Sequence, residues 1–272
     1  MDSRPIGVFD SGVGGLTVLR ALRAALPGDD FIYLGDTARL PYGTKSAATV
    51  VRYSLQCAAA LMRQDIRCLV IACNTASASA LPALRAAYPA LPVIGVIEPG
   101  AQAAVAASRT RHIAVIATEG TIAGGAYQEA IRRLEPDARV TARACSLLVA
   151  LAEEGWTDGA LPESVARRYL EPIFTGDGAP DTLVLGCTHF PALTAAISSV
   201  LPPAVRIVDS AATTAAAVIQ HLHAGDTAAT AAAAAHGKVT WLATDGAERF
   251  ARVGTRFLGE TLLPESVRII DL

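Results

Sequence analysis

An α/β fold made of two similar α/β domains with mainly parallel sheets is what this sequence of 272 residues predicts, and three observations carry the expectation. Short apolar runs alternate with helix-length segments from end to end, the pattern of parallel strands joined by crossover helices. Slightly over half of the chain, 52%, is apolar, enough for a sizeable core or two modest ones. Two segments are versions of one another: Val70-Ile71-Ala72-Cys73-Asn74-Thr75 and Val184-Leu185-Gly186-Cys187-Thr188-His189. In each, a buried-strand pattern ends in a small residue and a cysteine, hydroxyl or amide groups follow, and a Pro-Ala-Leu helix start comes next, at Pro82 and Pro191. Halves that fold alike can face one another across a cleft and place one thiol on either side of a single small ligand. Inversion of a carbon centre by proton transfer requires that geometry.

Taken in order, the expected strands are residues 6–9, 31–34, 68–72, 93–96, 113–117, 183–186, 205–208 and 239–242, and the segments between them read as helices. Glu98-Pro99-Gly100 and Asp209-Ser210 are the expected crossing points between the domains. Residues 1–97 plus 210–272 then form one α/β domain carrying Asp10 and Cys73, and residues 98–209 an inserted one carrying Cys187 and His189. Residues 227–237 are alanine-rich and of low complexity, read as a helix end running into a loop before the strand at Val239.

Composition excludes several classes of function. The net charge is −2 and no dense Lys/Arg tract occurs, so neither nucleic acid nor an anionic membrane surface is an expected partner. Met1-Asp2-Ser3-Arg4-Pro5 carries no secretory signature, and the uncharged run 182–205 holds His189, several hydroxyls and prolines that a spanning helix rarely tolerates. A cytoplasmic protein with a small-molecule partner is expected; homodimerisation is left open. The five cysteines are odd in number and form no Cys-x-x-Cys pair, so free thiols are expected rather than disulfides or a metal site. Only Lys45 and Lys238 are present and neither sits in a pocket motif, which argues against a lysine-bound pyridoxal cofactor.

Gly7-Val8-Phe9-Asp10-Ser11-Gly12-Val13-Gly14-Gly15 follows a strand and opens a helix, but Thr17 stands where a dinucleotide-binding loop needs its third glycine. The glycines suit close backbone approach to a small anion or zwitterion at a helix N-terminus, with Asp10 and Ser11 facing it. An acid ending an apolar strand, as Asp10 does, needs a partner or a task. Tyr33 to Thr37 and Leu40 to Thr44 are rich in turn residues, as expected of loops at the carboxyl end of a strand. Cys57, Cys68 and Cys145 fit the role of small core hydrophobes. Cys73 and Cys187 do not, because each precedes a helix N-terminus whose dipole and free N–H groups would lower a thiol's pKa. His189 lies two residues beyond Cys187, and of the pair Glu153 and Glu154 one could reach a cleft.

Together with Gly35-Asp36-Thr37-Ala38-Arg39, Pro41-Tyr42-Gly43, Phe190-Pro191, Val208-Asp209-Ser210-Ala211, Thr244-Asp245-Gly246 and Arg256-Phe257-Leu258-Gly259, these motifs resemble the glutamate racemase family over nearly the whole chain. The resemblance implies two α/β domains related by pseudo-twofold symmetry with the active site in the cleft between them. It also implies no cofactor, and interconversion of L- and D-glutamate to supply D-glutamate for bacterial peptidoglycan. Carried over by position, the catalytic thiols fall on Cys73, acting on D-glutamate, and Cys187, acting on L-glutamate. Asp10 and His189 match the supporting acid/base groups and Glu153 an auxiliary glutamate. Substrate contacts fall on Asp10, Ser11, Tyr42, Gly43, Asn74, Thr75, Thr188 and His189. The chain departs from the family pattern at Cys145-Ser146, where Cys-Pro is usual.

Competing readings are a cofactor-independent aspartate racemase, whose substrate is one methylene shorter, and a two-lobed amino-acid binding protein, which has no use for duplicated thiols. A thiol redox protein would need a neighbouring cysteine pair, and none exists.

Overall fold

The computed structural model describes residues 2–222 and 237–272. Ten strands are described: β1 (Ile6–Asp10), β2 (Phe31–Gly35), β3 (Cys68–Ile71), β4 (Val93–Gly95), β5 (His112–Ala117), β6 (Arg139–Ala144), β7 (Thr182–Gly186), β8 (Arg206–Asp209), β9 (Val239–Ala243) and β10 (Val267–Ile269). They form two sheets, of order β10-β9-β2-β1-β3-β4 and β6-β5-β7-β8, and every strand pair among the described residues is parallel. The helices are α1 (Leu16–Ala25), α2 (Ala47–Met62), α3 (Asn74–Ala87), α4 (Ile97–Ala107), α5 (Glu119–Ala123), α6 (Ala126–Leu134), α7 (Leu147–Glu154), α8 (Ala160–Phe174), α9 (Thr194–Ser198), α10 (Ser210–Leu222) and α11 (Ala247–Leu258).

The duplication seen in sequence is also one of topology. The run β2-β1-β3-β4 in the first sheet has the same order as β6-β5-β7-β8 in the second, and in each a cysteine stands just beyond the third strand in chain order, Cys73 one residue past Ala72 and Cys187 next to Gly186. The inner strands are buried and largely apolar because helices cover both faces: β1, β3, β5 and β7 are buried at every residue, with polar side chains only at their ends, Asp10, His112 and Thr182. Helices supply the covering layers through apolar stripes at helical spacing. In α1 the buried positions include Leu16, Leu19 and Leu22, and in α11 they include Phe250, Val253, Phe257 and Leu258, while Glu248, Arg249 and Arg252 face outward.

All eight expected strands are present, with ends shifted by a residue or so. The two that the sequence reading omits, β6 and β10, are both outer strands. Strand β6, Arg-Val-Thr-Ala-Arg-Ala, is at most half-buried and carries two arginines, and β10 has three residues, so neither has the apolar run of a covered strand. One local expectation is corrected. Pro82 lies inside α3 rather than at a helix start, because α3 begins at Asn74, directly after Cys73, and tolerates the missing N–H in its third turn. Glu98-Pro99-Gly100, an expected crossing point, lies in the first turn of α4, so the chain runs from β4 to β5 through a helix; proline at that position costs no intrahelical bond. The alanine-rich segment lies, up to residue 236, outside the described residues.

Leu19 is fully buried where α1 packs between its sheet, α10 and α11, whereas Ile269 on the outer strand β10 is 48% exposed. Leu19→Ala should therefore lower the unfolding free energy by about 2–5 kcal/mol. Ile269→Ala should stay within about 0.5 kcal/mol. Urea unfolding followed by circular dichroism checks both.

Candidate active site

In parallel sheets of this strand order the backbone turns in opposite directions after neighbouring strands, leaving a crevice outside their carboxyl ends. Each sheet has such a point, between β1 and β3 and between β5 and β7. Register makes the first one: Phe9 pairs with Ile71, so Asp10 and Ser11 leave the sheet beside Ala72 and Cys73. Likewise Ala117 pairs with Gly186, so Thr118 leaves beside Cys187, Thr188 and His189. The two crevices face each other and their side chains, with Tyr42, Gly43, Val149 and Glu153, enclose a cavity of about 40 Å³. The walls are almost closed on one another, with space for a few water molecules.

On the first wall, Cys73 caps α3: the Ala76 N–H donates to its Sγ at 3.5 Å, and Sγ in turn donates to the Ser11 hydroxyl at 3.5 Å. Asp10 is fully buried, and its Oδ2 accepts the Gly12 N–H at 3.0 Å. Its Oδ1 has no partner, nor has Nδ2 of Asn74. On the second wall, Cys187 Sγ lies 3.8 Å from Nδ1 of His189, and Nε2 of that ring lies 3.2 Å from Glu153 Oε1. The other oxygen of Glu153 accepts from Arg249 at 2.8 Å, and Arg256 donates to the Glu153 carbonyl at 2.8 Å, so α11 holds the end of α7 by two guanidinium groups. The edge of one ring meets the face of the other where Phe257 packs on His189, centroids 5.0 Å apart.

The walls meet at two glycines. A Cβ on Gly14 would stand 2.4 Å from the Thr188 hydroxyl and 2.5 Å from His189 Nδ1, and one on Gly43 would stand 2.6 Å from Thr118 Cβ. Tyr42 stands in the wall, but its hydroxyl donates to the buried carboxylate of Asp36, which also receives Arg39 at 2.7 Å and the Thr244 hydroxyl at 3.0 Å. The tyrosine therefore offers the cavity its ring and backbone rather than its hydroxyl.

Electrostatically the walls differ. Burial pushes the Cys73 thiol up to about 12, and the charge of Asp10 adds to the effect. This overturns the expectation that a helix N-terminus leaves Cys73 with a low pKa: the Ala76 N–H does reach the sulfur, but losing water costs a thiolate more than one weak hydrogen bond returns. Cys187 precedes a 3₁₀ turn, Phe190–Leu193, and not an α-helix, and its Sγ lies beside the His189 imidazole. Burial also raises the carboxyl of Asp10, against the nearby His189 and the N–H groups of Gly15, Gly12 and Ser11. For His189, burial acts to lower the imidazole, but hydrogen bonds and charge from Cys187 and Glu153 prevail and raise it to about 10. Glu153 is held at about 2, chiefly by its hydrogen bond to His189, with Arg249 contributing.

Every site residue expected from sequence, from Asp10 to His189, lines or adjoins this one cavity, with Asp10 behind the wall and the others on its surface. Thr118, Arg249 and Tyr127 are among the residues the sequence reading did not anticipate. Thr118 follows β5 as Cys73 follows β3, and the strand-end rule alone would have found it. Its hydroxyl forms a triangle with those of Thr75 and Thr121, with sides of 2.9, 3.0 and 3.0 Å. Arg249 and Tyr127 reach the site from helices distant in sequence and carry no local signal.

Two thiols on opposing walls, one flanked by a carboxylic acid and the other by an imidazole, define an α/β protein able to exchange protons with a small ligand from two sides. The chain belongs to the Asp/Glu/Hydantoin racemase family, whose family model matches residues 7–218. It is 50% identical over 262 residues to the glutamate racemase of Geobacter metallireducens, covering 96% of this chain and 95% of that one. The crystal structure of Francisella tularensis glutamate racemase in complex with D-glutamate superposes with a TM-score of 0.89 at 35% identity, covering 100% and 98% of the two chains. The Thermus thermophilus glutamate racemase, in complex with β-chloro-D-alanine, superposes at 0.85 with 43% identity, covering 99% and 98%. The resemblance read from the motifs is borne out.

The His189–Glu153 pair makes stability depend on pH. The raised imidazole contributes in full below its ordinary 6.5 and loses its contribution as pH rises through about 10; the lowered carboxyl contributes above its ordinary 4.5 and loses its contribution as pH falls through about 2. Glu153→Gln should consequently cost most stability between about pH 5 and 6, with a deficit that narrows toward about pH 10. Urea midpoints across that range read it, and a deficit independent of pH would contradict the pairing.

Proposed function

We propose that this protein is a glutamate racemase that interconverts L- and D-glutamate by proton transfer between Cys73 and Cys187, without a cofactor, and supplies D-glutamate for peptidoglycan. One observation carries the reading: the two thiols leave equivalent strands of two like sheets and line a single cavity. The names of the relatives support glutamate as the substrate. Part of the same proposal is the division of the chain into residues 1–97 plus 210–272 and an inserted unit 98–209, supported by the membership of the two sheets. Among the described residues no helix is long and apolar enough to cross a membrane.

For L-glutamate, the thiolate of Cys187 takes the α-proton: the Cα–H bond breaks, an S–H bond forms, and the electron pair passes toward the α-carboxylate. The Cys73 thiol, which its burial keeps protonated, gives its proton to the opposite face. Cys73 is then the thiolate and Cys187 the thiol, the arrangement that D-glutamate requires. His189, held by Glu153, moves a proton to or from Cys187, and Asp10 serves Cys73 in the same way. The developing negative charge meets the N-terminus of α3 with Nδ2 of Asn74, together with the hydroxyls of Ser11, Thr75 and Thr188. Oδ1 of Asp10, buried behind the wall, lacks a protein partner and is left for the proton exchange with Cys73. Water is excluded by the near closure of the walls, which strengthens each of these interactions. Carboxylate length is sensed where the Tyr42-Gly43 backbone meets Thr118.

Purified protein without added cofactor should racemise L-glutamate, with the change in optical rotation as the readout. In heavy water, early product should carry deuterium at the α-carbon while remaining substrate does not, by mass spectrometry. Serine at Cys73 or at Cys187 should reduce turnover by about a thousandfold or more, since a hydroxyl cannot serve as the base without further activation. Product that retains its own α-proton would exclude the two-thiol route.

Selectivity is tested separately. L-glutamate should exceed L-aspartate in kcat/KM by a factor beyond the roughly 10–200-fold that one methylene earns in a purely apolar pocket, because the site also holds the terminal carboxylate. Comparable values would favour the aspartate reading.

A further inference from the structure

Asn74 is planar and nearly symmetric in shape: its Oδ1 and Nδ2 differ little in size, so packing alone does not decide which of them meets the ligand. A carboxylate ligand accepts hydrogen bonds only, so the wrong orientation would set two acceptors against each other. Tyr127, the second residue of α6 and fully buried, favours one orientation: its hydroxyl donates to Asn74 Oδ1 at 2.8 Å, whereas a turned amide would have to donate to the phenol and leave Oδ1 against the ligand's carboxylate. The amide nitrogen is thereby directed elsewhere. It is buried, has no protein partner, and belongs to a residue of the cavity wall. An unpaired amide donor in such a place is costly to bury unless a ligand meets it.

The tyrosine is built in rather than merely nearby. Its ring occupies a slot between two glycines: a Cβ on Gly186 would stand 3.0 Å from Cε2, and one on Gly100 3.2 Å from Cε1 and from the hydroxyl oxygen. Gly186 ends β7, directly before Cys187, so the slot that seats the ring is part of the strand that delivers the second thiol. Burial raises the phenol above its ordinary range, which favours its protonated, donating form.

We propose that Tyr127 is a positioning residue that fixes the Asn74 amide with its nitrogen toward the substrate α-carboxylate. The inference rests on the reading of Asn74 as a carboxylate ligand. It also gives the inserted unit a part in the chemistry of the other wall, since Tyr127 lies beyond β5 and Asn74 directly after Cys73.

Tyr127→Phe keeps the ring in its slot and removes only the donor, leaving the amide free to turn. Racemisation of L-glutamate should fall about tenfold in kcat/KM. Most of the fall should lie in kcat, because the carboxylate carries more negative charge in the transition state than in the bound substrate. In an Asn74→Ala background the same change should have less than about a twofold effect, the non-additivity of two groups acting as one. Where Asn74→Ala is too slow for steady-state assay, the cycle is read from single-turnover racemisation with enzyme in excess over L-glutamate, which still reports the chemical step. An equal loss in both backgrounds would mean that Tyr127 acts through the fold alone, and no loss in either would mean that the amide orients without it; each overturns the proposal. Absence of racemisation in the unaltered protein would instead overturn the reading on which it rests.

Discussion

The approach of the Gly14 loop to Thr188 and His189 is the contact on which the rest of the site depends. No side chain, not even a methyl group, fits between them. Thr17 completes the contact by turning its hydroxyl to the carbonyls of Gly14, at 2.9 Å, and Thr188, at 3.3 Å. The same residue that spoils a dinucleotide-binding fingerprint is thus the one that ties the two sheets together at their carboxyl ends. With that approach in place, the ends of β1, β3, β5 and β7 open into one small cavity, lined by groups contributed after strands of both sheets.

Although the two walls share a topology, they hold their protons by different means. Around Cys73 the governing influence is loss of water, which favours the neutral thiol and the neutral acid of Asp10. Around Cys187 it is a chain of opposite charges running through His189 and Glu153 to Arg249. A site in which both thiols were charged would place two anions in one small apolar space, and one in which neither could ionise would have no base. The unlike surroundings set the two thiols apart: one faces a buried acid, the other an imidazole held by a carboxylate.

Much of this was legible in the chain itself. Buried parallel strands announce themselves as apolar runs, and eight of them did. Strands β6 and β10 did not, because an outer strand has a solvent-facing side and Arg139 and Arg143 read as surface residues. The site was legible wherever chemistry followed directly on a strand, as at Asp10, Cys73 and Cys187. It was illegible where a residue arrives from a remote helix: Arg249 is 96 residues from the glutamate it binds and Tyr127 is 53 from Asn74, and no local spacing encodes either meeting. The protonation of Cys73 was misjudged for a related reason, since a helix N-terminus is visible in sequence and depth of burial is not.

The unlike walls have a consequence for rates that concerns neither wall alone. L- and D-glutamate are mirror images and have the same free energy in water, so at equilibrium they are present in equal amounts. A racemase must then have the same kcat/KM in both directions, whatever differs between the groups on its two sides. A single acid on one wall against an ion-pair relay on the other can express itself only as compensating differences: a tighter but slower direction opposed by a looser and faster one. At saturating substrate the protein can therefore favour one enantiomer kinetically, while at scarce substrate the asymmetry of its walls vanishes from view.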